Sequence, residues 1–194
     1  MIRAFAAIAL PEAVRRDLQI LQMGMPVPRT IPPESLHLTL VFLGEVPAPV
    51  LADVDAAFRS VSAPAFDVEL RGVGMFGGSK PRVVFAGAGP AAPLEHLQAK
   101  LAAAARGAGI AIEARRFVPH VTLARLSRPP ESRTRLERFV AMRADYAAPR
   151  FTVGDFRLYR STLGGEGASY EELAAYPLSG VAATTPPSES TDHS

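Results

Sequence analysis

The sequence predicts a mixed α and β fold made of two similar halves, on three observations. Strand-like and helix-like hydropathy patterns alternate along the chain. The frame HLTL at 37–40 returns as HVTL at 120–123. Each frame lies on a strand that follows a helix and precedes another, the order expected of a duplicated unit whose copies have diverged.

The elements follow in order. Residues 2–9 (IRAFAAIA) read as a strand, and 11–23 as an amphipathic helix with Val14, Leu18 and Leu21 on one face. The Pro-rich connector PVPRTIPPE leads into SLHLTLVFLG, a strand by its β-branched and apolar content, ending at Gly44. A helix at 47–60 and a strand at 66–76 complete the first half. The second half runs strand 82–88, an Ala-rich helix 91–108 stopped by Gly109, strand 116–126, and a helix 129–143 opening with prolines. Residues 151–163 and 168–178 read as a closing hairpin about a Gly164-Gly165 turn. One domain is expected over 1–180. From Val181 the chain is polar and without apolar period, so 181–194 is expected to be a disordered tail.

Composition narrows the chemistry. The chain has 194 residues, enough for a sizeable core. It contains no cysteine, which excludes disulfides, thiolate catalysis and Cys-based metal centres, and fits a reducing cytoplasm. Net charge is only +2, so it is no polycationic nucleic-acid coat. The N-terminal IRAFAAIAL lacks a small-residue cleavage site, with Pro11-Glu12 in its place, and reads as a strand entering a helix. No apolar run approaches the roughly 20 residues that span a bilayer.

The repeated frame carries the chemistry. Side chains at i and i+2 of a strand share a face. His37 and Thr39 therefore project together, backed by Leu38 and Leu40, as do His120 and Thr122, backed by Val121 and Leu123. With nine threonines in the chain, two such coincidences among four histidines arise by luck in roughly 1% of cases. Two facing imidazoles suit a reaction that takes a proton in one place and gives one in another. The Thr hydroxyls can donate to anionic oxygens, and Arg125 adds a cation suited to a phosphoryl transition state. Strict alternation sends Arg125 to the face opposite His120, so that role requires a bulge or a strand end. Phe76, in GVGMFGGS, is placed either to stack on a base or to anchor its loop in the core. Phe42 is expected in the core, Lys80 and Arg82 as ordinary surface charge or else as a steer for RNA phosphates, and His96 and His193 outside the site. Asp53 and Asp55 pair with no histidine at ligand spacing, so no metal site is expected.

HLTLVFLG at 37–44 and HVTLAR at 120–125 resemble the paired HxTx motifs of the two-histidine (2H) phosphoesterases. Within that superfamily the chain is most similar to the RNA 2′,3′-cyclic phosphodiesterases, also called LigT-like or 2′–5′ RNA ligases, from FAAIALP to LYRSTLGGEGASYEELAAYPL. The resemblance implies an α+β fold of two pseudo-symmetric lobes of antiparallel strands with outer helices around a central cleft. It implies opening of a terminal 2′,3′-cyclic phosphate to a 2′-phosphate without a metal or other cofactor, with 2′–5′ joining of RNA ends as the reverse reaction. By that correspondence His37 is the proton donor, His120 the acceptor, and Thr39, Thr122 and Arg125 bind the phosphate. The partners it implies are RNA ends or small nucleotides, and a monomer is expected because one chain encloses the cleft. Two other classes compete: a nucleotide- or RNA-binding module that lost the chemistry, and a metal hydrolase using the two histidines as ligands. Intact His and Thr in both frames speak against the first, and the missing third ligand against the second.

Overall fold

Residues 1–114, 116–126, 132–164 and 167–180 are described by a computed structural model. The chain runs β1 (Ile2–Ala9), α1 (Glu12–Met23), a 3₁₀ turn at Pro33–Ser35, β2 (His37–Val46), α2 (Ala48–Arg59) and β3 (Phe66–Phe76). It continues with β4 (Val83–Gly89), α3 (Ala91–Gly107), β5 (His120–Arg125), α4 (Arg133–Ala141), β6 (Phe151–Val153), β7 (Asp155–Gly164) and β8 (Gly167–Pro177). The strands form one antiparallel sheet in the order β6-β3-β4-β5-β2-β1-β7-β8. Its two four-stranded lobes meet at β2 and β5, where Leu38 pairs with Val121.

The duplication is real but interlaced. The run β1-α1-β2-α2-β3 corresponds to β4-α3-β5-α4-β7. The third strands have changed places: β3 pairs with β4 of the second unit, and β7 pairs with β1 of the first. Each lobe is therefore built from both halves of the chain, not from one as a simple tandem reading implies. The strand expected over 151–163 is broken at Gly154. Its first piece, β6, pairs with β3 in one lobe, and its second, β7, pairs with β1 in the other.

The core-facing side of the sheet carries Leu38, Leu70, Val84, Val121 and Leu123, with Leu18, Leu97, Leu101 and Leu136 from the helices, all fully buried. Each such side chain contributes roughly 1.5–3 kcal/mol by leaving water. No described helix is long and apolar enough to cross a membrane.

Boundaries moved where a local constraint intervened. Strand β2 continues to Val46 because Gly44 takes a left-handed conformation (φ 76°) and the chain runs on past it. Strand β5 starts only at His120, after Pro119, which has no N–H for a ladder. Helix α4 starts at Arg133, after Ser132, whose hydroxyl accepts from the Arg135 N–H. The prolines expected to open it, the Gly164-Gly165 turn and the tail 181–194 fall wholly or partly outside the described residues.

Candidate active site

The Leu38–Val121 pair sets the site's geometry. In an antiparallel ladder the neighbours of a pair also face each other, so His37 stands across from Thr122 and Thr39 across from His120. All four side chains are half-buried, while Leu38 and Val121 between them are fully buried on the reverse face. The two His–Thr pairs thus form a small rectangle on the open face of the sheet. The alternation legible in the sequence decided the face, and the β2–β5 pairing brought the two halves together.

The imidazoles are held alike. The Nδ1–H of His37 donates to the Ser35 carbonyl at 2.8 Å, and that of His120 to the Val118 carbonyl at 2.7 Å. A carbonyl can only accept, so both Nδ1 atoms carry the proton and Nε2 is the acceptor of each neutral ring. The 3₁₀ turn at Pro33–Ser35 and the Pro119 kink place these carbonyls two residues upstream.

Aromatic rings wall both histidines. The Phe5 ring centroid lies 4.8 Å from His37, and Tyr170 meets His37 edge-on at 5.0 Å. Around His120, Phe76 and Phe85 approach edge-on at 4.9 and 5.4 Å and stack on each other at 4.1 Å. Phe76 is thus the last residue of β3, half-buried against Phe85 and beside the catalytic candidate. Gly74 lies across from Phe85 in register; a Cβ there would come within 2.5 Å of the Phe85 ring. The bare backbone at Gly74 is what lets that ring lie where it does.

Burial among these rings lowers the His37 pKa to about 4, with Arg125 and His120 adding smaller contributions in the same direction and the Ser35 hydrogen bond opposing them. At neutral pH His37 is therefore uncharged.

Arg125 is brought to the face of the histidines by an irregularity of the kind expected from the sequence. Phe85 pairs with Thr122 but Val84 with Ala124, so Leu123 is an extra residue on β5. Val83 and Phe85 share a face, and Arg125, opposite Val83, is returned to the face of Thr122 and His120. The Leu123 carbonyl accepts from the Ile31 N–H at 2.8 Å and from Nε2 of Gln22 at 3.0 Å. Gln22 is a buried polar side chain, and sequence periodicity gave no hint of this use.

The same irregularity occurs in β2 and corrects the expectation for Phe42. Ala7 pairs with Thr39 but Ala6 with Val41, leaving Leu40 extra, so Phe42 opposite Phe5 shares the face of Thr39. Phe42 is 57% exposed rather than in the core. Aligning HLTLVF with HVTLAR was the available signal: a bulge that serves Arg125 also turns Phe42 outward.

Two cavities flank the rectangle. One of about 190 Å³ is lined by Thr39, Phe42, Phe76, Gln98, Arg116 and His120. The other, about 280 Å³, is lined by Phe5, Arg15, His37, Tyr159, Tyr170 and Glu172, among others. Outside the site, Lys80, Arg82 and His96 are exposed as expected. Asp55 accepts from the Tyr176 hydroxyl at 2.6 Å and pairs with Arg59, a structural use. Among the described residues no group of three His, Asp or Glu is placed to hold a metal ion.

Comparison with known proteins identifies the family. The family model of the 2′-5′ RNA ligase superfamily matches residues 11–165. An RNA 2′,3′-cyclic phosphodiesterase of Aeropyrum pernix is 33% identical over 156 residues, 79% of this chain and 88% of the relative. A crystal structure from Thermus thermophilus superposes with a TM-score of 0.75 at 31% identity, covering 91% of this chain and 97% of that one. Escherichia coli LigT complexed with 3′-AMP gives a TM-score of 0.74 at 27% identity, covering 92% and 98%. With a matching family model over most of its length and two His–Thr pairs set face to face, the chain belongs to the 2′-5′ RNA ligase superfamily.

Proposed function

We propose that this protein hydrolyses a terminal 2′,3′-cyclic phosphate on RNA to a 2′-phosphate. The observation that carries the reading is the rectangle of His37, Thr122, His120 and Thr39, with both imidazoles tethered through Nδ1. The relatives named RNA 2′,3′-cyclic phosphodiesterase support it.

A cyclic phosphate between the rings receives hydrogen bonds from Thr39 and Thr122 and the charge of Arg125. Water attacks phosphorus as one Nε2 removes its proton. The P–O3′ bond breaks in line with the attack, and the other imidazolium protonates O3′, leaving a 2′-phosphate and a 3′-hydroxyl. No step calls for a metal, so turnover is expected to persist in excess EDTA. With a ribose 5′-hydroxyl in place of water as the nucleophile, the P–O3′ bond breaks and O3′ is protonated in the same way, and the ends are joined through a 2′–5′ bond. The exposed ring of Phe42, which lines the same cavity as Phe76, is the platform for the base. One chain supplies every group, so the active species is a monomer.

The family correspondence makes His37 the donor to O3′ and His120 the acceptor from water. The lowered pKa of His37 favours a second reading with the roles exchanged, because an uncharged imidazole is ready to accept. As donor, His37 must take up a proton when the anionic phosphate arrives. A substrate with sulfur in place of the bridging 3′ oxygen decides between them, since a thiolate leaves without a proton. Turnover of it by His37→Ala but not by His120→Ala assigns His37 as the acid, and the opposite pattern assigns His120. Loss of the oligonucleotide reaction in neither variant overturns the proposal altogether.

A further inference from the structure

We infer that a basic track leads from the phosphate site across the β3–β4 loop to α4 and holds the RNA chain behind the cyclic end. The inference rests on the RNA-end reading above and extends it from the terminal nucleotide to the body of the substrate.

The track can be followed through contacts. Arg125, in the site, pairs across the ladder with Val83, and the next residue out is Arg82. The Arg82 carbonyl accepts from the Leu126 N–H at 2.8 Å, and the Arg82 N–H donates to the Phe76 carbonyl, so this corner lies directly against the site. Lys80 precedes it in the loop. The guanidinium of Arg133, at the start of α4, donates to the Ser79 carbonyl at 2.8 Å and ties the helix to that loop. Arg135 and Arg138, three residues apart on one helix face, then line an open groove of about 260 Å³ with Arg143.

Among the described residues no carboxylate compensates the charge there. Arg16, Arg59, Arg71, Arg157 and Arg160 each face a carboxylate. Lys80, Arg82, Arg125, Arg135 and Arg138 are exposed, and none is paired with a carboxylate among the described residues. Glu137, the acid of α4, is taken by Arg133. A net charge of +2 therefore conceals a segregated surface. Repeated guanidinium groups leading away from a phosphate site match the repeated phosphates of a polynucleotide, which offers an anion at every step. A lone nucleotide in the site ends before the track begins.

The test compares adenosine 2′,3′-cyclic phosphate with an RNA of about a dozen nucleotides ending in the same group, at several salt concentrations. The variant is Lys80→Gln/Arg135→Gln/Arg138→Gln, three exposed side chains that pair with no carboxylate among the described residues. We expect the KM for the oligonucleotide to rise about tenfold or more while turnover of the mononucleotide stays at the wild-type level. The slope of log kcat/KM against log salt for the oligonucleotide should fall by roughly 2, at about 0.7 for each lost phosphate contact to a single strand. Fluorescence anisotropy of the same RNA carrying a 2′-phosphate reads the track without catalysis, so failure of the hydrolase reading remains separate. Unchanged affinity and salt slope in the variant overturn the track. Equal loss with both substrates, or loss of binding only to anionic lipid vesicles, overturns it as well.

Discussion

Phe42 and Arg125 occupy the same place in the two halves of the fold, five residues beyond His37 and His120, each brought to the open face by one extra residue in its strand. The burial pattern from histidine to this position is identical in both: half-buried, buried, half-buried, buried, buried, exposed. The duplication is thus symmetric in backbone and asymmetric in chemistry. One side offers a ring and the other a cation, a pair suited to a ligand that has a base at one end and a phosphate at the other.

That asymmetry separates the effects of two substitutions. Arg125→Ala should lower kcat/KM about 10²-fold with a fall in kcat, because the guanidinium acts on charge that develops in the transition state. Phe42→Ala should raise KM about tenfold or more and leave kcat within a small factor, since base stacking is worth roughly 1–3 kcal/mol in ground and transition state alike. Steady-state kinetics on one short RNA ending in a 2′,3′-cyclic phosphate checks both. Equal effects on kcat would refute the assignment of ring to base and cation to phosphate.

Replacing His37 or His120 by Ala should reduce turnover by about 10²–10⁴ in each case. The far-ultraviolet circular dichroism should not change, because both side chains are half-buried on the open face and not in the core. An unfolded variant would mark that histidine as structural.

The lowered pKa of His37 has two measurable consequences. In the free protein its ring should titrate near 4 by NMR, and a bound phosphate anion should move that titration upward, so phosphate binds more tightly as pH falls. Between about 4 and the unperturbed value near 6.5 the unfolded chain holds the extra proton, so stability rises with pH through this window. Proton uptake by the unfolded chain at this position should remove about 3 kcal/mol as pH drops from 6.5 to about 4, and the loss levels off once the folded His37 is itself protonated. Urea denaturation of His37→Gln should lack that part of the slope.

Gly74→Ala should damage catalysis by way of Phe85. A methyl group 2.5 Å from the ring forces Phe85 off its stack with Phe76 and against His120. Turnover should fall about tenfold or more, in line with the cost of small displacements of a catalytic group. Phe85→Leu in the same chain should restore part of it, and a double-mutant cycle would show that coupling. Strict additivity would disprove the steric route.

Gln22→Met tests the support beneath Arg125. It removes the side-chain donor to the Leu123 and Ile31 carbonyls, leaving Leu123 with the Ile31 N–H alone, at about 0.5–1.5 kcal/mol of stability for each hydrogen bond. If Gln22 positions the bulge, kcat/KM should fall with Arg125 present and fall no further in Arg125→Ala. An equal loss in both backgrounds would make Gln22 a purely structural residue.

The sequence by itself determined what is local. The pairing of His37 with Thr39 and of His120 with Thr122 on one face follows from the two-residue period of a strand, and the helices at 12–23, 48–59 and 91–107 follow from their apolar spacing and their Pro and Gly boundaries. It also announced that Arg125 required a break in the alternation. The tertiary structure alone decided that Phe42 leaves the core, that 151–163 is split at Gly154 between two lobes, and that β3 and β7 change partners. The physical reason is that alternation says which residues share a face only until one is inserted. Where the insertion falls, and which strand lies alongside, is set by long-range pairing such as Leu38 with Val121 and by a carbonyl that must find a donor, as Leu123 finds Gln22.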